Sequence, residues 1–240
     1  MSWFRTFHPR PGARVRLVCL PYAGGGAGLY RALAQKIAPE IEVVAVQYPG
    51  RQDRRAEAPI DDLHALADRI ADELAALDGP PVALFGHSLG ATIGFEVARR
   101  MLPRFPSPVV RLFVSARTAP VDHRPSGRDF RQDAVLRAWA GRAGDAARQA
   151  AADPDLWQLA APSLAADLMM SETYAARPGA KVTCPVTAVA GTADRGCGVE
   201  HMARWAAHTI GGFEVAEVVG DHYFIDDPST ELCGLLEGLL

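Results

Sequence analysis

The chain has 240 residues, 49% of them hydrophobic, and its 25 basic and 28 acidic side chains leave a net charge of -3. That composition supplies one sizeable core and excludes a disordered chain, while the even charge balance, without any dense Lys/Arg cluster, excludes the electrostatic footprint of a nucleic-acid binder. No apolar run approaches the roughly 18 residues of a membrane span, and Arg5, His8, Arg10 and Arg14 stand where a signal peptide needs an apolar core. A cytoplasmic protein with no membrane partner is therefore expected. Cys19, Cys184, Cys197 and Cys233 are scattered without the paired spacing of a zinc or redox site, which fits a reduced compartment and predicts no metal.

Trp3, Phe4 and Phe7 mark an apolar leader over 1–13 that packs on the body before Pro9 and Pro11 break regularity. Val15 to Leu20 reads as a strand that ends in the glycine-rich loop Pro21 to Gly28, and a helix is expected from about Leu29 to Ile37. Ile41 to Val46 is the next strand. Asp61 to Leu77 is a helix with Leu63, Leu66, Ile70, Leu74 and Leu77 on one face. Pro81 to Phe85 is a short apolar strand, and Ala91 to Met101 a helix with Ile93, Val97 and Met101 at helical spacing. Strands are expected at Val109 to Val114, Val186 to Ala190 and Glu214 to Val219. Helices are expected at Val199 to Thr209 and at Pro228 to Leu240, the last capped near Asp226 and Asp227. Strand-helix alternation implies an α/β fold with a mainly parallel, doubly wound sheet in one domain, its ligand crevice at the carboxyl ends of the strands. The rhythm breaks between about 122 and 178, where Trp139, Trp157, Leu164 and Leu168 fall in a strand-free stretch. This predicts an inserted helical lid, with an alanine-rich helix at Ala143 to Ala152.

Between that strand and helix lies Gly86-His87-Ser88-Leu89-Gly90. In a G-x-S-x-G turn the serine sits on a strained corner, and only glycine lets strand and helix approach closely enough to hold it. A serine hydroxyl is a weak nucleophile until a base takes its proton, so a histidine and a group to orient it must follow. His222, in Gly220-Asp221-His222-Tyr223-Phe224 after the last strand, is placed to hang an imidazole over the corner. His87 is expected to brace the corner, and His8, His64, His123, His201 and His208 to be surface or helix-face residues. Asp194, reached from a strand through Gly191-Thr192-Ala193, is the orienting acid, with Asp221, Asp226 and Asp227 in reserve. The developing oxyanion needs backbone N–H donors, expected at Leu89 and in the glycine loop at Ala23, with Tyr22 the fallback. That loop lacks the Lys-Ser/Thr of a phosphate loop and the third glycine of a dinucleotide site, so no cofactor is expected.

These residues resemble the α/β-hydrolase superfamily and, more narrowly, the free-standing type II thioesterases that accompany polyketide synthases and nonribosomal peptide synthetases. The resemblance spans nearly the whole chain. Besides the serine turn it is carried by Leu20-Pro21-Tyr22-Ala23-Gly24-Gly25-Gly26, Gln47-Tyr48-Pro49-Gly50-Arg51-Gln52-Asp53-Arg54 and Ser115-Ala116-Arg117-Thr118-Ala119-Pro120. Tyr22 departs from the histidine that relatives often have there, a change that bears on pocket polarity. The resemblance implies a monomer that acts in trans and hydrolyses acyl thioesters on the phosphopantetheine arm of an acyl or peptidyl carrier protein, clearing wrongly acylated carriers. Read from the residues alone, Tyr48 to Arg55 is a strand-ending turn with a solvated basic face. Its arginines, and Arg124, Arg128 and Arg131 at the lid entrance, could instead meet the phosphate or an acidic carrier helix. The rival readings are an oxygen-ester hydrolase with the same three residues and a non-catalytic binding protein on the same fold.

Overall fold

The computed structural model describes residues 2–101 and 107–240, so Met1 of the leader lies outside it. Seven strands form one sheet in the order β1-β3-β2-β4-β5-β6-β7. They are β1 (Phe4–Thr6), β2 (Val15–Leu20), β3 (Ile41–Val46), β4 (Val82–His87), β5 (Val109–Ser115), β6 (Val186–Gly191) and β7 (Phe213–Val218). All neighbours pair parallel except β1, which runs antiparallel to β3 at the edge. The leader thus contributes a strand where only packing was expected, and Trp3 beside it is buried in the core.

Helices are α1 (Arg31–Lys36), α2 (Leu63–Ala75), α3 (Leu89–Arg100), α4 (Asp133–Ala140), α5 (Asp145–Ala152), α6 (Pro154–Thr173), α7 (Val199–Ala203) and α8 (Thr230–Leu239). Period-two alternation decides which helix covers which face of the sheet. Val18 and Leu20 of β2, Leu84 of β4 and Ala188 of β6 pack with α2, α3 and α7. Leu17 and Cys19 of β2, Ala83 and Phe85 of β4 and Val189 of β6 pack with α1 and α8 on the other face. The central strands β4 and β6 are buried on both faces, which is why each reads as a near-continuous apolar run. Helix α2 begins where Asp62 accepts a hydrogen bond from the Ala65 amide at 2.7 Å. Helix α8 begins later than expected: Ser229, not Asp226 or Asp227, accepts from the Leu232 amide at 3.1 Å, because Asp226 lies within a short 3-10 turn, Phe224–Asp226.

Between β5 and β6 the chain leaves the sheet and makes α4, α5 and α6. Phe130, Leu136, Ala140, Trp157, Leu164 and Leu168 form a separate small core there, and Ala23 of the glycine loop packs against it. Trp157 donates through its indole N–H to Asp133 at 2.7 Å, and the Arg137 guanidinium stacks 4.5 Å from its ring centre, so α4 and α6 are tied together. Among the described residues no helix is long and apolar enough to cross a membrane.

Candidate active site

Strand β4 delivers its chain to the carboxyl edge of the sheet and turns sharply into α3 at Ser88, whose φ of 53° and ψ of -118° lie in a region that residues with a Cβ seldom occupy. Two glycines make the turn possible. A Cβ on Gly86 would stand 2.1 Å from the Gly90 carbonyl oxygen, and one on Gly90 would stand 2.0 Å from that of Leu20. Strand, helix and neighbouring strand therefore close to backbone contact, and the Ser88 amide donates to the Ser115 carbonyl at 2.8 Å.

The three side chains singled out in sequence converge here. His222 Nε2 lies 3.2 Å from Ser88 Oγ, and His222 Nδ1 lies 2.7 Å from Asp194 Oδ2. Asp194 stands just past β6, and its other oxygen accepts from the Gly196 and Cys197 amides at 3.0 and 3.2 Å. Burial would by itself raise the Asp194 carboxyl, but the hydrogen bond and charge of His222 and the two amides outweigh it and hold the carboxyl below its usual range. The loops that carry Asp194 and His222 are joined directly, since the Ala193 amide donates to the Gly220 carbonyl at 2.8 Å. The reserve acids are engaged elsewhere. Asp221 accepts from the Tyr223 amide, Asp226 from the Tyr22 hydroxyl, and Asp227 pairs with Lys36.

His87 braces the turn as expected, through a chain of bonds that fixes its tautomer. Nε2 lies 2.7 Å from the His222 carbonyl oxygen, which can only accept, so Nε2 carries the proton and Nδ1 accepts from the Ser115 hydroxyl at 2.9 Å. The residue before Ser88 thus positions the backbone of His222. Burial, reinforced by the nearby His222, lowers the His87 pKa from 6.5 to about 3. Below pH 6.5 the unfolded chain takes up a proton at this residue that the folded chain refuses, so stability falls with pH until about 3. The slope is about 1.4 kcal/mol per pH unit. Urea unfolding at pH 7.5 and 5.0 is expected to show about 2 kcal/mol of loss from this source, absent in His87→Asn. An equal loss in the variant would contradict it.

The cavity beside Ser88, about 480 Å³, is lined by Ala23, Leu89 and His222 and by Arg117, Arg124 and Arg128. Leu89 opens α3, so its amide belongs to the unpaired first turn. Ala23 belongs to the glycine loop, which a distant pair holds. Asp167 of α6 accepts from both terminal nitrogens of Arg51 at 2.6 and 2.7 Å and from the Gly24 amide at 2.8 Å, and Arg51 also donates to the Gly25 carbonyl at 3.1 Å. Arg51 and Asp167 are only 7% and 1% exposed. Two of the three arginines in the turn after β3 are therefore not solvated: Arg54 is buried too, stacked 4.1 Å from the Trp3 ring centre, and only Arg55 is exposed. Sequence reasoning missed Asp167 altogether. Its signal is an acid lodged between Leu164 and Leu168, on a face that must be buried and so needs a cation. His208 is a second correction. It is buried, accepts from the Val121 amide at 3.2 Å and lies 3.0 Å from the Ala180 carbonyl, which ties the end of the 3-10 turn after α7 to the core.

Residues 15–240 match the family model described as a thioesterase domain. The chain belongs to the thioesterase family. It is an α/β-hydrolase that hydrolyses acyl thioesters. It is 39% identical to Thioesterase PikA5 of Streptomyces venezuelae over 96% of this chain and 83% of that one. It is 32% identical to the gramicidin S biosynthesis protein GrsT of Aneurinibacillus migulanus over 96% and 91%. Among solved structures it is similar to the type II thioesterase BorB from the borrelidin biosynthetic cluster, with a TM-score of 0.85, 38% identity and coverage of 100% and 99%. Against this thioesterase frame, the insertion α4–α6, the Ser88 turn and the Asp194 and His222 loops all meet at one sheet edge.

Proposed function

We propose that this thioesterase works on carrier proteins, removing acyl groups from the phosphopantetheine arm through an acyl-serine intermediate on Ser88, with Asp194 and His222 completing a catalytic triad. The observation that carries the reading is the unbroken relay from Asp194 through His222 to Ser88 Oγ. His222 Nδ1 donates to the carboxylate, which leaves Nε2 free to take the serine proton. The oxygen attacks the thioester carbonyl, and the Leu89 and Ala23 amides receive the oxyanion. The imidazolium returns its proton as the thiol leaves. Water, deprotonated by the same nitrogen, then cleaves the acyl-serine and releases the acid.

A thioester carried on a separate protein must enter from outside. Arg124 and Arg128 are exposed at the rim of the Ser88 cavity, and they suit the phosphate of the arm or an acidic carrier helix. Helices α4–α6 act as the lid over that entrance. All three triad residues come from one chain, consistent with a monomer acting in trans, and four free, buried cysteines suit a reduced cytoplasm. The names of the relatives, which place one in gramicidin S biosynthesis and another, a type II thioesterase, in the borrelidin biosynthetic cluster, support a role in clearing stalled carriers. Release of acid from an acylated carrier by the native protein, and not by Ser88→Ala, tests the reading. Equal release by both would reject it.

A further inference from the structure

The cavity at Ser88 contains one cation that the mechanism above does not use. Arg117 follows Ala116, a fully buried residue with φ of 51°. This is the second such strained corner at the carboxyl edge, and the His87–Ser115 pairing of β4 with β5 sets it beside the corner of Ser88. A residue with a Cβ is held in that conformation only where its surroundings dictate it. The effect is to turn Arg117 into the cavity. The Trp205 indole N–H donates to the Arg117 carbonyl at 2.7 Å and pins the backbone.

The guanidinium has little to do there. It donates to the Ser171 hydroxyl at 2.9 Å, and among the described residues no carboxylate pairs with it. Both acids that line the cavity are occupied: Asp122 pairs with Arg204, while Glu172 accepts from the Ser126 hydroxyl and the Gly127 amide. In the same wall His123 Nε2 is buried without a partner among the described residues. A half-buried cation without an anion is costly, and desolvation accordingly holds the Arg117 guanidinium below its usual range. Such a group beside a reactive serine is the signature of an anion subsite.

We propose that Arg117 receives a carboxylate carried by the acyl group, so that this enzyme accepts short carboxyacyl thioesters, the half-thioesters of dicarboxylic acids. The inference rests on Ser88 being the nucleophile. The phosphate of the arm is the other anion available, but it is attached at the carrier end, a full pantetheine length from the thioester. Exposed Arg124 and Arg128 suit it, whereas Arg117, which lines the same cavity as Ser88, is half-buried. Hydrolysis consumes one water and yields the thiol and the dicarboxylate; the carboxylate on Arg117 is a handle and takes no part in the bond changes.

The test compares kcat/KM for succinyl- and butyryl-pantetheine, which share a four-carbon acyl chain, in the native enzyme and in Arg117→Ala and Arg117→Gln. The succinyl-to-butyryl ratio is expected to fall at least tenfold in both variants. A parallel loss on both substrates would assign Arg117 to packing and overturn the proposal. Calorimetric binding of free succinate, inorganic phosphate and phosphopantetheine gives a readout that needs no turnover, and serves also if a variant fails to fold. Succinate binding to the native protein that disappears in Arg117→Gln supports the subsite. Arg117-dependent binding of phosphopantetheine without binding of succinate would return this cation to the arm and overturn the acyl assignment. Should the native enzyme hydrolyse neither thioester yet bind succinate through Arg117, the failure would lie in the reading of Ser88 and not in the subsite.

Discussion

Ser88→Ala is expected to lower kcat for acyl-thioester hydrolysis by about 10⁴- to 10⁶-fold while leaving the fold intact. The hydroxyl takes part in the approach of His222 at 3.2 Å but in no contact that holds the sheet together. The turn is held instead by Gly86, Gly90 and the amide-carbonyl bond from Ser88 to Ser115, none of which alanine disturbs. Alanine also tolerates the positive φ no worse than serine does, so the melting temperature should stay within about 2 °C of the native value. Because the members of the proposed triad would act as a unit, adding His222→Ala to Ser88→Ala should cost little more. Labelling by a fluorophosphonate probe should vanish with the single substitution. A variant that keeps even one per cent of native turnover would place the nucleophile elsewhere.

The second large effect is expected far from the reacting atoms. Asp167→Ala leaves Arg51 buried without its anion and frees the Gly24 amide, so the glycine loop loses the tie that sets the position of Ala23. Removing one partner of a buried pair costs about 3–5 kcal/mol, which for a chain of this size lowers the melting temperature by about 10 °C. Loss of one well-placed oxyanion donor costs about 10²- to 10³-fold in kcat. The double variant Arg51→Met/Asp167→Leu separates the two effects. With no charge left to bury, most of the stability should return. The Gly24 and Gly25 backbone groups would remain untethered, so kcat should stay low. Recovery of both would reduce the pair to packing and remove its claim on the oxyanion loop.

Much of the site was legible because its chemistry is local. Ser88 is announced by two glycines within two residues, and Asp194 and His222 by the polar turns that end their strands. Strand runs such as Val15–Leu20 and Ile41–Val46 were readable because burial on both faces leaves each a single charged residue, Arg16 and Glu42, which pair with each other across the two strands. The short edge strand Phe4–Thr6 was not, since three residues beside two prolines carry no period. The Arg51–Asp167 pair joins positions 116 apart in sequence, and neither residue type predicts the other at such a distance. The same limit hid the burial of His208, whose contacts come from Val121 and Ala180. The resemblance is carried in part by the Arg51 and Arg117 motifs, but only the packed side chains show one arginine tied to the glycine loop and the other in the cavity without a carboxylate partner among the described residues.

The most direct test of an acyl group passing through Ser88 is a partition experiment. One acyl group is presented on a carrier protein, on pantetheine and on N-acetylcysteamine, each in the same fixed concentration of methanol, and the ratio of methyl ester to free acid is measured. A shared acyl-serine has forgotten its thiol before water or methanol attacks, so the three ratios should be equal even where the rates differ widely. Ratios that change with the leaving thiol would mean that water attacks the thioester directly, and would contradict a covalent intermediate on Ser88.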